Sequence, residues 1–309
     1  MKFTIQDKQL RLDLSLSKSS IEIIETAEET AEIEFTGLRK KTVDEVFNIS
    51  FRNNRLYIKE RSPRNSPMFD TLFNSGWSSD LKLKIPAQTL LSGTISSLKG
   101  DITADRLNFC GKIKTVMGTI GIKSLISDGA DIQNVGGNIG IDRFEGVLKT
   151  KSMAGKIVVE EGVFKDLSIR GVTGDVRLAG HFELENEGEV NTLSGDIHLN
   201  IMSFKGEAMI LVSTMSGNPD VIGDFPEDAV QIKRRMPFLK NHPFKSFFPS
   251  MKNTCASFFS MSKDDDEVEV HAETVPDDDD NVKMILEMLS QGKISAEEAE
   301  KLIKALGKK

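Results

Sequence analysis

A recurring Gly-Asp pair places Asp101, Asp175 and Asp196, and a row of carboxylates so placed could in principle hold calcium or supply an acid pair for glycoside cleavage. An acid at a turn more often accepts a hydrogen bond from its own backbone, and that is the role expected here. The run Gly136-Gly137-Asn138-Ile139-Gly140-Ile141-Asp142 comes near a calcium-binding β-roll nonapeptide. Ile139 stands where that motif needs its fourth-position glycine, however, and the run does not recur, so no metal is expected.

The remaining reactive residue types are scattered. The four histidines, His181, His198, His242 and His271, have no Ser or Cys partner in a recognisable nucleophile motif. His198 alternates with Ile197 and Leu199 and should point outward from a strand. Cys110 and Cys255 are the only cysteines and neither has a neighbour at metal-ligand spacing, which suits a reducing compartment. The glycines lack the Lys-Ser/Thr or strand-to-helix context of a phosphate cradle. Catalytic and cofactor-binding residues are therefore expected to be none.

One stretch does have the chemistry of a surface. Gln231 to Lys263 holds seven Lys or Arg and no acid, beginning with Lys233, Arg234 and Arg235 and interleaved with Phe238, Phe244, Phe247 and Phe248. Cations beside aromatic rings suit an anionic membrane or a partner surface. Two other roles stay open: the rings could pack on the end of the core, or the cations could pair with the ten acids that follow between Asp264 and Asp280. The chain as a whole carries a formal charge of −7 with a pI near 5.4, which argues against nucleic acid as a partner. The N-terminus has no apolar run of signal-peptide type, so a cytoplasmic location, possible also at the inner face of the membrane, is expected.

The elements that must position these residues are repeats. Seven times an apolar residue, any residue and a glycine precede an alternating segment, with glycines at 100, 118, 137, 155, 174, 195 and 217. A second set, Gly111, Gly129, Gly146 and Gly162, falls in the intervals and is expected at the opposite corner. One turn cannot bury its own face, so stacked turns are needed, and the pattern predicts an all-β solenoid, or β-helix, of about seven turns from about Leu81 to Val221, capped where Pro219 replaces a β-branched residue. An antiparallel meander with one hairpin per repeat is the rival.

Residues 1–230 are thus expected to form the repeat domain, with 1–80 as period-two strands and a loop whose Phe69, Phe73 and Trp77 fold back as a lid. A charge-segregated linker over 231–280 follows, and then a small α-helical hairpin over 281–309. In the hairpin Ile285, Leu286 and Leu289 share one helix face, Ser295 and Glu298 form a capping box, and Leu302, Ile303 and Leu306 line the second helix. A unit so small needs a second copy or a partner to cover those faces.

Leu81-Lys82-Leu83-Lys84-Ile85-Pro86 and serial turns such as Leu193-Ser194-Gly195-Asp196-Ile197 resemble the bacterial adhesin-like β-strand-repeat family, also called the toastrack family. The segment from Ile285 to Ala299 is similar to the short bihelical, SHOCT-like module often attached to it. The resemblance implies a β-solenoid encoded beside small membrane proteins of envelope-stress systems, and it carries no catalytic residues. A non-enzymatic scaffold or sensor, self-associating or bound to a membrane-protein partner, is the expected function. The alternative is an adhesin-like or ligand-binding solenoid.

Overall fold

The computed structural model describes residues 1–38, 41–61 and 79–233. The chain forms two compact units, Met1–Arg235 and Met236–Lys309, and the second lies outside the described residues together with Arg234, Arg235 and the expected lid residues Phe69, Phe73 and Trp77.

The N-terminal segment gives β1 (Lys2–Thr4), β2 (Gln9–Leu16), β3 (Ser20–Thr26), β4 (Thr30–Thr36), the single-turn α1 (Val43–Val46), β5 (Phe47–Arg52) and β6 (Arg55–Glu60). The repeats give β7 (Asp80–Pro86), β8 (Leu90–Ser97), β9 (Ile102–Met117), β10 (Ile120–Gly136), β11 (Ile139–Ala154), β12 (Ile157–Thr173), β13 (Val176–Glu183), β14 (Gly188–Ser194), β15 (Ile197–Lys205), β16 (Ile210–Ser216), β17 (Pro219–Gly223) and β18 (Val230–Lys233). All belong to one continuous sheet of 18 strands. It closes around the core because β9 to β12 bend at mid-length, so each of these strands contributes to two facing walls. The front wall runs through β7, β3, the first halves of β9 to β12, then β13, β15 and β17. The back wall runs through β6, β2, β8, the second halves of β9 to β12, then β14, β16 and β18.

Successive repeats pair in parallel throughout, which rules out the meander. The solenoid has about eight turns, not seven, because β2, β3 and β6 supply coils that lack the glycine corner. It also runs beyond the expected cap. Pro219 opens β17, the last strand of the front wall, where its missing N–H interrupts no described ladder, and the chain continues into β18.

Alternation fills the interior. Ile102, Ile120, Ile139, Ile157, Val176 and Ile197 form one fully buried column, matched across the core by Ile95, Ile113, Ile132, Ile169, Val190 and Val212, with the buried Thr150 standing between Ile132 and Ile169. Burying each such side chain stabilises the fold by about 1.5–3 kcal/mol. At the bend Phe164 lies between Phe144 and Phe182, with ring centroids 5.5 and 4.8 Å away.

The coil order in space departs from the order in sequence. β2 pairs with β6 on one side and β8 on the other, and β3 sits likewise between β7 and β9. The first coil made is therefore inserted between two later ones. β3 then leads to β4, antiparallel to β7, while β7 leads to β8 past the inserted coil, a pair of crossing connections of the kind proteins usually avoid. Backbone bonds tie the crossing: Ala87 N–H to the Thr26 carbonyl at 3.0 Å and Leu90 N–H to that of Lys8 at 2.8 Å. Antiparallel β4 and β5 close this end, with Phe3 against Phe51 and Phe35 stacked on Phe47.

Candidate functional site

The glycine corners place the aspartates. At Gly155, with φ of +126°, an added Cβ would lie 2.0 Å from the Gly137 carbonyl oxygen, and each corner glycine from 118 to 217 approaches the corner before it in the same way. Only glycine permits coils to stack so closely there. The residue after it then caps the next coil. Asp101 Oδ1 accepts from Thr119 N–H at 2.7 Å, Asn138 Oδ1 from Lys156 N–H at 2.9 Å, Asp175 Oδ1 from Asp196 N–H at 3.2 Å and Asp196 Oδ1 from Asn218 N–H at 2.8 Å. The expected bond to the residue's own backbone is thus replaced by a bond to the following coil, since stacking brings the equivalent N–H within reach. Among the described residues no three of His, Cys, Asp or Glu come together in a way that could hold a metal ion.

The second glycine set is less uniform than its spacing suggests. Gly111 and Gly146 meet backbone of the preceding coil at the bend, whereas Gly129 has only Cys110 Sγ near it at 3.7 Å.

The inserted coil has no corner glycine and solves the same problem with a carboxylate. Glu60, from the end of β6, accepts from Ser17 N–H at 2.6 Å and Lys18 N–H at 3.0 Å. Burial pushes the Lys18 ammonium below its usual pKa, which the Glu60 charge partly offsets.

The structure joins two histidines to partners that lie one coil away and 22 residues along the sequence. His181 Nδ1 is 2.7 Å from Ser203 Oγ, and His198 Nδ1 is 3.4 Å from Asp220 Oδ2 on the outer face, the orientation that alternation predicts. Both pairs lie on the open front wall. His242 and His271 lie outside the described residues, as do Phe238, Phe244, Phe247, Phe248, Ile285, Leu286, Leu289, Leu302, Ile303 and Leu306. Lys233 is the last residue of β18.

Two features escaped the sequence reading. A shallow groove of about 380 Å³ lies on the front wall, floored by Gly121 and Gly140 and edged by Glu22, Asp105, Lys123 and Asp142. A second feature is a cationic lattice on the outside of the back wall. Strand register aligns Lys59, Ser15, Ser96, Lys114, Gln133, Lys151, Arg170, Asn191 and Ser213 in one row without an acid, in which Ser96, Asn191 and Ser213 are buried and the cations half-buried. Beside it run Thr94, Lys112, Asp131, Lys149, Ser168 and Glu189. Burial first, and then the Lys112 and Lys151 charges, lower the Lys114 pKa against the opposing pull of Asp131. Aligning the repeats on their glycines would have found these lysines, because Lys112 and Lys149 both stand six places before a corner glycine and Lys114 and Lys151 four.

The same alignment exposes a buried polar column three places before the corner. Ser97, Thr115, Asn134, Ser152, Thr192 and Thr214 are all buried. Ser97 Oγ donates to the Ser19 carbonyl at 3.0 Å and Asn134 Nδ2 to that of Gly118 at 3.0 Å, and Thr115 and Thr214 likewise tether corner carbonyls, whereas the Ser152 and Thr192 hydroxyls have no partner among the described residues.

No curated protein matches the chain. A solved structure of a candidate cell adhesion protein from Clostridium sporogenes aligns at 10% identity over 72% of this chain and 98% of its own, with a TM-score of 0.35. A SHOCT-like domain model matches residues 280–309. The Toastrack DUF4097 model matches residues 10–234, the span that holds all of the parallel coils and their glycine corners, and the chain belongs to that family.

Proposed function

We propose that this protein is a non-enzymatic scaffold whose rigid walls display side chains to a binding partner, working in a bacterial envelope-stress response from the cytoplasmic face of the membrane. The observation that supports it best is where the reactive groups go. Asp101, Asp175 and Asp196 are engaged in capping backbone. The interior is filled by apolar columns and one column of small polar side chains, with no buried acid or histidine in these columns. What the walls present outward, where they are exposed, is rows of side chains in strand register. The SHOCT-like match supports protein association as the tail's role, with Ile285, Leu286, Leu289, Leu302, Ile303 and Leu306 as the contact residues in a homo-oligomer or with a small membrane protein. Lys233, Arg234, Arg235, Phe238, Phe244, Phe247 and Phe248 form an accessory membrane or partner surface. The stress-response assignment draws on the family resemblance.

The test is complementation of a deletion strain carrying an envelope-stress reporter. Ser203→Ala and His181→Ala, which remove the one Ser–His pair among the described hydrogen bonds, should restore the reporter response as fully as the natural chain. Loss of the response in both variants, with unchanged folding, would show that the pair does chemistry. A ligand-binding, adhesin-like role is the second reading, favoured by the groove over Gly121 and Gly140, and filling it with Gly140→Tyr separates the two.

A further inference from the structure

The chain is acidic overall, yet the outside of the back wall is basic. Between β6 and β14 it carries Arg11, Arg55, Lys59, Lys112, Lys114, Lys149, Lys151 and Arg170 in aligned rows. The acids in these rows are largely engaged. Asp13 pairs with Arg11 and Arg55, Glu189 binds Arg170 at 2.7 Å, and Asp131 accepts from Gln133 at 3.0 Å. At the centre stand four lysines on alternate strands, Lys112 and Lys114 on β9 and Lys149 and Lys151 on β11, about 10 Å apart across β10 from the usual strand spacing. Among the described residues no carboxylate lies within ion-pair distance of Lys112, Lys149 or Lys151.

Like charges held together on a rigid sheet raise the local potential and favour any partner that brings negative charge. The geometry of the face selects among such partners. At its centre it is a wall of strands, β8 to β14, each paired on both sides along this wall, so no edge is free there for a peptide to add as a further strand. Its cations at the centre are lysines, point charges on mobile stems, which adapt to headgroups that are themselves mobile, where bidentate recognition would call for arginine. Stacking platforms for bases are absent from the central rows, which between Thr94 and Glu189 contain no aromatic residue.

We infer that the outer back wall, centred on Lys112, Lys114, Lys149 and Lys151, docks the protein flat on an anionic phospholipid surface. The proposal rests on the peripheral-scaffold reading and supplies its orientation: the back wall faces the lipid, and the front wall with its groove stays open to partners. Because the chain carries −7 overall, the remaining surface is repelled by the same bilayer, and one face alone is favoured.

The experiment is co-sedimentation of the full chain with vesicles of phosphatidylcholine alone or with about a third phosphatidylglycerol, a composition set for a strong surface potential. The natural chain should bind the anionic vesicles and lose them at high salt. The variant with Lys112, Lys114, Lys149 and Lys151 all changed to Gln should bind weaker by roughly fivefold per lysine, hence on the order of 100-fold or more. A control with the same charge change elsewhere, Lys82→Gln, Lys123→Gln, Lys156→Gln and Lys205→Gln, should shift binding by less than about threefold, since these lie off the back wall. Unchanged circular dichroism and melting temperature keep the comparison valid.

Equal loss in both variants would overturn the proposal in favour of diffuse attraction. Loss confined to Lys233→Gln, Arg234→Gln and Arg235→Gln would move the contact to the basic-aromatic segment. Equal or tighter binding of duplex DNA, lost in the same variant, would keep the face and overturn its lipid assignment. Failure of the natural chain to bind any vesicle refutes the docking surface while leaving the complementation result, and with it the non-enzymatic scaffold, untouched.

Discussion

Substitution of one corner glycine should unlock the whole stack, and Gly155→Ala is the sharpest case. Its φ of +126° costs an L-residue about 1–2 kcal/mol. The new Cβ would sit 2.0 Å from the Gly137 oxygen, below the 3.0 Å that real Cβ contacts respect, so the two coils must part by about 1.0 Å at that point. Such parting weakens the Gly155 N–H bond to the Thr173 carbonyl and the Gly137 N–H bond to that of Ala154, now 3.1 and 3.0 Å. Each bond contributes about 1 kcal/mol, and the gain from a stiffer unfolded chain returns about 0.4–1 kcal/mol. The net loss is about 3 kcal/mol, or a fall in Tm of roughly 6–12 °C for a domain of this size. Gly140→Ala is the control, because nothing lies within 4 Å of its added Cβ and no left-handed φ constrains it. It should leave stability within about 1 kcal/mol of the natural chain. Urea unfolding followed by far-UV circular dichroism measures both, with the m-value checked for loss of cooperativity along the repeats. Equal stability of the two variants would refute the view that corner glycines are required by close approach.

Glu60→Gln should cost about 1–3 kcal/mol in urea unfolding, because a neutral amide replaces the charge that holds the Ser17 and Lys18 N–H groups. Thr192→Val should be neutral or slightly stabilising, since its buried hydroxyl has no partner among the described residues, while Ser97→Ala should lose about 1 kcal/mol with its bond to Ser19. Lys18 gives a pH test. Its folded pKa lies below 10.5, so its contribution to stability is complete above pH 10.5 and is lost as pH falls through the folded value. Lys18→Met should therefore show its largest relative gain near neutral pH and a shrinking gain on approach to pH 10.5, measured by denaturant unfolding across that range.

The repeats made the parallel coils legible because two signals coincided. Glycine at a fixed step marked the corners, and alternation marked the inward columns that Ile102, Ile120 and Ile139 now fill. The strands before Leu81 were legible as strands but not as coils, since Glu60 and Ser19 perform at their corner what glycine performs elsewhere. The surplus coil was hidden for that reason. Pro219 misled because a missing N–H matters only where a neighbouring strand needs it, and β17 is the last of its wall. The His181–Ser203 pair joins residues a full coil apart, a relation that no local motif expresses. The lysine lattice was present in the repeat alignment all along, but its significance depends on register. A lysine is unremarkable alone and becomes part of a field only when the coil above repeats it.

The inserted coil changes how the solenoid can come apart and be made. Stacked repeats ordinarily fray from either end, because a terminal unit has one neighbour to leave. Here the first coil synthesised has neighbours on both sides, and its release requires β6–β7 or β8–β9 to separate first. Synthesis meets the mirror constraint: residues 9–26 must wait until those near 104 have emerged before their slot is complete, so this end assembles by closure of distant segments, not by stepwise addition. The far end, by contrast, grows one coil at a time and can lose one at a time. The molecule is thus clasped at its beginning and extensible at its end, which leaves the C-terminal coils as the place where length can vary without disturbing the knot-like start.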